Sequence, residues 1–234
     1  VSKFTLAFAN LTKELALSVA YREFNDTLKL SPWFNSKGKF SKSDRNSYYV
    51  PNGDRIEVIP ASDSANLLGR QLWACLMDEV NFTRSGVKDI NKAKTSMKKM
   101  YNTADARITG TFKIKGQVYG KMFTCSSKNS DSDYLSDYIE TQLNAGNTSM
   151  YLVDEPQWNV LPKEMFGTDK FYIAVGDRYK RGFVISDENS DAQHLNSYRE
   201  EGYNVLEVPK DFLSNFKSDF DIALRDIAGI SVVG

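Results

Sequence analysis

Two periodicities alternate along this chain. Residues 4–9 (FTLAFA) are a short apolar run of the kind a buried strand needs. Asn10-Leu11-Thr12 breaks the run, and Thr12 is a good helix N-cap. Leu17, Tyr21, Phe24 and Leu28 then recur at spacings of four, three and four, which places them on one helix face. Ser31-Pro32 ends that helix, because proline cannot donate to the preceding turn. The polar, lysine-rich stretch 35–46 predicts a loop. Residues 47–50 (SYYV) and 55–59 (RIEVI) flank Pro51-Asn52-Gly53-Asp54, and Asn-Gly predicts a tight hairpin turn. Ile56 and Val58 alternate with Arg55 and Glu57, as in a half-buried strand.

The next run, LWACLM from Leu72 to Met77, is continuously apolar and stops abruptly at Asp78-Glu79. Such a run suits a central strand covered on both faces. Residues 89–108 carry a helical pattern, with Ile90, Ala93, Met97, Met100, Ala104 and Ile108 on one face. Lys92, Lys94, Lys98 and Lys99 lie mostly off that face; with Lys88 they are candidates for phosphate contact, against the plainer reading of a solvated surface. Residues 118–125 (VYGKMFTC) predict a strand that exits into Ser126-Ser127-Lys128, and 132–144 a helix closed by Ala145-Gly146-Asn147. Short strands are expected at 149–153, 171–175, 182–185 and 204–208, and helices at 191–200 and 217–226. No internal repeat or low-complexity tract interrupts the series. Alternating strands and helices predict an α/β fold with a largely parallel sheet, to which the hairpin adds an antiparallel element.

Composition narrows the function classes. Of 234 residues, 41% are hydrophobic and 12% aromatic, enough for a real core, which excludes global disorder. Thirty basic and thirty acidic residues give a net charge of zero, so any grip on a polyanion has to come from a local patch. Cys75 and Cys125 sit in apolar runs and are expected to be buried thiols. With the single His194, to which no function is assigned, they are too few for a zinc site or a disulfide framework. No apolar stretch reaches membrane length and the first residues are not a signal peptide, so a soluble, cytosolic protein is expected. The chain reads as a strand from its start and has no initiating Met, and it is expected to begin inside a domain.

Three places could carry chemistry. In LWACLMDEVNF an apolar strand delivers two adjacent carboxylates at its C-terminal end, where open α/β sheets form their ligand crevice. In nucleotide hydrolases the first such carboxylate holds Mg²⁺ and the second orients and deprotonates the attacking water, roles that fall on Asp78 and Glu79. The plainer alternative is a solvated acidic turn. The strand MFTC ends in Ser126-Ser127, either a γ-phosphate-sensing motif or an ordinary strand exit. Leu68-Gly69-Arg70 lies eight residues before Asp78, and its guanidinium either reaches a phosphate or is a surface charge.

The order of these pieces resembles the ATPase domain of tailed-phage large terminases. The series runs FTLAFANLTKEL, RIEVIPAS, NLLGRQLWACLMDEVNF, GKMFTCSSKNSDSDYL, and then DEPQWNVLP, FYIAVGD and VLEVPKDFLSNFKSDFDIALRDIAGIS. In that family a Gly-Arg segment precedes the Walker B strand, and a long helix and a Ser/Thr coupling motif follow it. The resemblance implies a P-loop NTPase-like (ASCE, RecA-like) sheet, with 1–150 as the ATPase core and 151–234 as its end and a linker toward a nuclease domain. It implies ATP and Mg²⁺ as cofactors, Asp78 as the Mg²⁺ carboxylate and Glu79 as the catalytic one. Ser126 and Ser127 fall on the coupling motif, and Arg70 on a trans-acting arginine finger. The implied activity is ATP-driven translocation of viral double-stranded DNA into a procapsid. Its partners would be a portal protein and a small terminase subunit, in a homo-oligomeric ring in the host bacterial cytoplasm, docked transiently on the procapsid.

The sequence departs from the family at one decisive point: it contains no G-x-x-x-x-G-K-[ST] loop. That loop would lie upstream of Val1 and the nuclease carboxylates downstream of Gly234, so this chain alone is expected neither to bind ATP tightly nor to cut DNA. Asp154-Glu155 repeats the acidic pair superficially, but Pro156 and its place in the linker argue against catalysis. Two other readings stand beside the motor: a helicase-like nucleic-acid-dependent ATPase, and a non-enzymatic interaction fragment.

Overall fold

The computed structural model of the protein describes residues 3–37, 39–40, 47–49, 54–81, 90–128, 133–147 and 149–231. Its contacts group the chain into two units, Val1–Ser126 and Ser127–Gly234.

The first unit is built on a six-stranded sheet. Its strands are β1 (Lys3–Ala9), β2 (Lys39–Phe40), β3 (Ser47–Tyr49), β4 (Arg55–Ala61), β5 (Leu72–Asp78) and β8 (Lys121–Cys125), in the order β2-β3-β4-β1-β5-β8. The four strands from β4 to β8 are parallel; β3 pairs antiparallel with β4, and β2 pairs antiparallel with β3. The central sheet is therefore mostly parallel with an antiparallel addition; the Asn-Gly turn expected to join β3 to β4 lies outside the described residues. Two further strands, β6 (Lys113–Ile114) and β7 (Gln117–Val118), pair with each other, so the strand expected over 118–125 is split before Lys121.

Helix α4 (Ile90–Thr111) packs on one face of this sheet. It buries Met97, Met100, Ala104 and Ile108, and beside them Ala7, Ala9, Cys75 and Met77 are also buried. The opposite face carries Phe4, Leu6 and Phe8. There α1 (Lys13–Ala16), a π-helical turn at Leu17–Tyr21 and α2 (Arg22–Leu30) run continuously. Thr12 caps this segment by accepting from Leu15 N, and Phe8 meets Phe24 with ring centroids 5.5 Å apart. A new helix, α3 (Pro32–Lys37), starts on the proline that stops α2. Trp73 and Phe123 remain exposed, so β5 is covered fully only on its α4 side.

The second unit begins with α5 (Tyr134–Asn144), capped by Asp133, and a short α6 (Gln157–Val160). The strand expected at 149–153 does not form; 150–156 have no regular structure, and Tyr151 is exposed. The core is an antiparallel sheet ordered β10-β9-β11, from β9 (Lys170–Val175), β10 (Phe183–Val184) and β11 (Asn204–Pro209). Period-two alternation sends Phe171, Ile173 and Val175 to one face of β9. They pack there with Phe216, Leu224 and Ile227 of the region formed by α8 (Leu213–Ser218) and α9 (Phe220–Asp226). On the other face Ala174 joins Ile185 and Leu195, the latter from α7 (Ala192–Glu200). The single helix expected over 217–226 is two, because Asp219 leaves helical conformation and caps α9 through Ile222 N. No described helix is long and apolar enough to cross a membrane.

Candidate functional site

Parallel register brings the polar end of β1 beside the acidic end of β5. Ala9 pairs with Met77, so the next residues, Asn10 and Asp78, lie level across the sheet. Asn10 Nδ2 donates to Asp78 Oδ2 at 3.1 Å, and Asn10 is 4% exposed. On the other side Asp78 pairs with Cys125, whose Sγ donates to Asp78 Oδ1 at 3.2 Å. The same Oδ1 accepts Glu79 N at 3.1 Å. Three donors from three consecutive strand ends thus fix one carboxylate at the carboxyl edge of the parallel sheet.

Glu79 follows in a left-handed conformation, φ 57°. A side chain with a Cβ avoids that region, and glutamate has no short side-chain oxygen to compensate. Such a residue persists where the surroundings over-determine it, and these outliers cluster at functional sites. The chain then turns, and Asn81 N donates to Ser126 Oγ at 3.1 Å, across 45 residues. The serine at the end of β8 is therefore attached to the loop that leaves Glu79. Ser127 is half-buried and opens the second unit.

Cys125 differs from its expected burial: it is exposed, while Cys75 is fully buried. Its thiol is nonetheless pushed up to about 12, by desolvation first and then by the hydrogen bond and charge of Asp78 and the charge of Glu79. It remains a neutral donor to Asp78. The sequence offered a weak signal for Asn10, a polar residue directly after an apolar strand, and none for the Cys125 contact, which depends on strand order.

Arg70 lies elsewhere. Gly69, at φ 72°, turns the chain out of a 3-10 helix (Ser64–Leu67) and delivers Arg70 to the start of β5. There Nη1 donates to Glu57 Oε1 at 2.9 Å and Oε2 at 2.8 Å. Glu57 is 7% exposed, not the solvated residue its alternation predicts, because Thr5, its register partner, also donates to it at 3.2 Å. Thr5 is paired with Leu72, six residues before Asp78, which at the rise of an extended strand is about 20 Å. Within the unit, Arg70 and the acidic pair occupy opposite ends of the strands.

Asp154 and Glu155 are engaged in the second unit: Asp154 with Lys128 at 2.8 Å, Glu155 with Asn159 Nδ2 at 2.8 Å. Lys98 and Lys99 are exposed on α4; Lys88 and the side chains of Lys92 and Lys94 lie outside the described residues. His194 Nδ1 lies 2.6 Å from Asp191, the α7 N-cap.

Among the described residues no three or more His, Cys, Asp and Glu side chains converge as a metal site. Mg²⁺ asks less than that, one or two carboxylates supplemented by substrate phosphates and water. Asp78, with lone pairs to spare beyond its three donors, fits that part. The phosphate-cradling part has no counterpart in these 234 residues. The arrangement can hold a hard cation at Asp78, orient water at Glu79 and transmit movement of the 79–81 turn to β8 through Ser126.

No family model and no curated protein matches the sequence. Among solved structures, the chain is similar to the large terminase of bacteriophage HK97, with a TM-score of 0.46 and 12% identity over 99% of this chain and 40% of that one. It is also similar to the large terminase of a thermophilic bacteriophage, in one crystal form with a TM-score of 0.40 and 14% identity over 63% of this chain and 32% of that one. Another crystal form of that thermophilic phage protein, in complex with ADP, aligns with a TM-score of 0.41 and 10% identity over 97% and 62%. The chain spans less than two thirds of each of these proteins.

Proposed function

We propose that the carboxyl edge of the parallel sheet is the metal- and water-handling half of a nucleotide-hydrolysing site in a large-terminase motor. Asp78 would hold Mg²⁺, which neutralises developing charge on transferring phosphate. Glu79 is the general base that orients the attacking water and takes its proton. Ser126, attached to Asn81 N, is the element through which the state of this turn reaches β8, with Ser127 beside it in sequence. Arg70 is the candidate trans-acting finger of the assembled ring. Residues 1–150 supply this ATPase core and 151–234 close it toward a nuclease domain.

The observation that carries the reading is Glu79, a non-glycine residue at positive φ next to a carboxylate fixed by Asn10, Cys125 and its own chain. An ordinary acidic strand exit has no need of that backbone cost. The motor would move viral double-stranded DNA into a procapsid in the host bacterial cytoplasm, in a ring with the portal protein and the small terminase subunit as partners.

The test is ATP hydrolysis by the full-length gene product. Glu79→Gln keeps the shape and removes the base, so turnover should fall by about 10² or more while ATP binding is retained. Equal turnover in variant and wild type would sink the assignment.

A further inference from the structure

The connection between β9 and β10, residues 176–182, reads GDRYKRG: three cations and a tyrosine in one tight turn. Asp177 and Lys180 bridge across it, exchanging Asp177 N to Lys180 O at 3.0 Å and Lys180 N to Asp177 O at 3.2 Å. The Asp177 carboxylate accepts Tyr179 N at 2.7 Å and Lys180 N at 3.1 Å, so the one acid inside the turn is committed to backbone amides. The Lys180 ammonium lies 5.3 Å from the Tyr203 ring centroid and donates to Glu201 O. Gly176 is required, since a Cβ there would meet Lys180 O at 1.8 Å. The turn is built rigid by its own backbone.

The side chains of Arg178, Tyr179 and Arg181 take no part in that construction. All three are exposed, Tyr179 to 85%, and their side chains have no hydrogen bond, ion pair or ring contact among the described residues. The cleft beneath the turn is lined by these cations and by two acids, Asp177 and Asp221. Two guanidiniums bracketing a tyrosine on a rigid tip are surplus to the fold.

We propose that this tip grips the phosphodiester backbone of a nucleic acid. Arg178 and Arg181 bind phosphate oxygens through their planar forks, and Tyr179 offers its ring to a sugar or an unstacked base. In a chain of zero net charge, such a local patch is what a polyanion contact requires. A protein partner fits less well, because a single turn offers far less area than a stable protein interface buries. The inference extends the motor reading, in which DNA is the cargo, but uses no residue of the acidic site.

The test is fluorescence anisotropy of the whole chain, without nucleotide, on a short labelled duplex DNA and on one of its strands across a salt series. The wild type should bind at low salt and weaken log-linearly as salt rises. Arg178→Ala with Arg181→Ala should weaken binding about tenfold or more and flatten the salt slope by about two, one for each phosphate contact. Tyr179→Ala should weaken the single strand more than the duplex. Arg199→Ala removes a surface guanidinium that already donates to Asn196 Oδ1 and should change neither. Wild-type behaviour of the double variant at every salt, an equal loss with Arg199→Ala, or no binding by the wild type would each overturn the proposal. None of these outcomes bears on Glu79, whose failure is read from ATP turnover.

Discussion

Asn10 and Asp78, 68 residues apart, meet at 3.1 Å because parallel register makes them neighbours at the same end of the sheet. The amide is buried and its donor is spent on the carboxylate that the motor reading assigns to Mg²⁺. Asn10→Ala should therefore lower stability by roughly 1 kcal/mol, the usual worth of a hydrogen bond of this kind. Asn10→Asp should cost more, since it replaces a donor with a like charge against Asp78. Urea denaturation of the two variants would order them, and equal stability of the two would mean that the contact is idle.

Glu79 gives a prediction of opposite sign. Its φ of 57° costs an L-residue on the order of 1–2 kcal/mol, part of which glycine returns as backbone entropy in the unfolded chain. Glu79→Gly should raise stability by about 0.5–1 kcal/mol while abolishing ATP turnover in the full-length protein. A stabilised, inactive variant is the mark of strain kept for function. A destabilised variant would mean that the glutamate side chain supports the fold.

The elements of the first unit were legible where the apolar pattern was strong. The runs FTLAFA and LWACLM became β1 and β5, and the spacing of Met97, Met100, Ala104 and Ile108 marked the buried face of α4. The pattern failed where pairing decides. Glu57 alternates like a solvent-facing residue, yet it is buried because Thr5 and Arg70, 52 and 13 residues away, satisfy it. YLV at 151–153 has strand composition but no partner strand among the described residues. Of the site, Asp78 and Glu79 announced themselves as carboxylates after an apolar run. The donors that fix Asp78, from Asn10 and Cys125, depend on which strands lie next to β5, and a single sequence does not state strand order.

Cys75 makes stability depend on alkaline pH. Burial pushes its thiol up to about 12, above the ordinary value of 9.0 that it regains in the unfolded chain. The neutral thiol is favoured in the folded state, so its contribution is complete below about pH 9. It is lost as pH rises toward 12, where the unfolded chain alone gains from ionisation. Cys75→Ala should flatten the fall in stability between those limits. Iodoacetamide at mildly alkaline pH should label Cys75 only on unfolding, because it is fully buried; labelling in the folded protein would contradict that burial.

Arg70 separates two roles by two measurements. Its guanidinium holds both oxygens of Glu57, and its removal takes the countercharge from a nearly buried carboxylate to which Thr5 also donates. Loss of one partner of a fully buried pair costs about 3–5 kcal/mol. Arg70 is 38% exposed, so water reaches the site and a loss of about 1–3 kcal/mol is expected for Arg70→Ala. Arg70→Ala with Glu57→Gln should recover part of that loss, because no charge is then stranded. If Arg70 served instead as a trans-acting finger, the single variant would keep its melting temperature and lose ATP turnover only in the assembled ring. A large fall in melting temperature, rescued by Glu57→Gln, assigns the residue to the sheet and leaves the finger to be sought on another element.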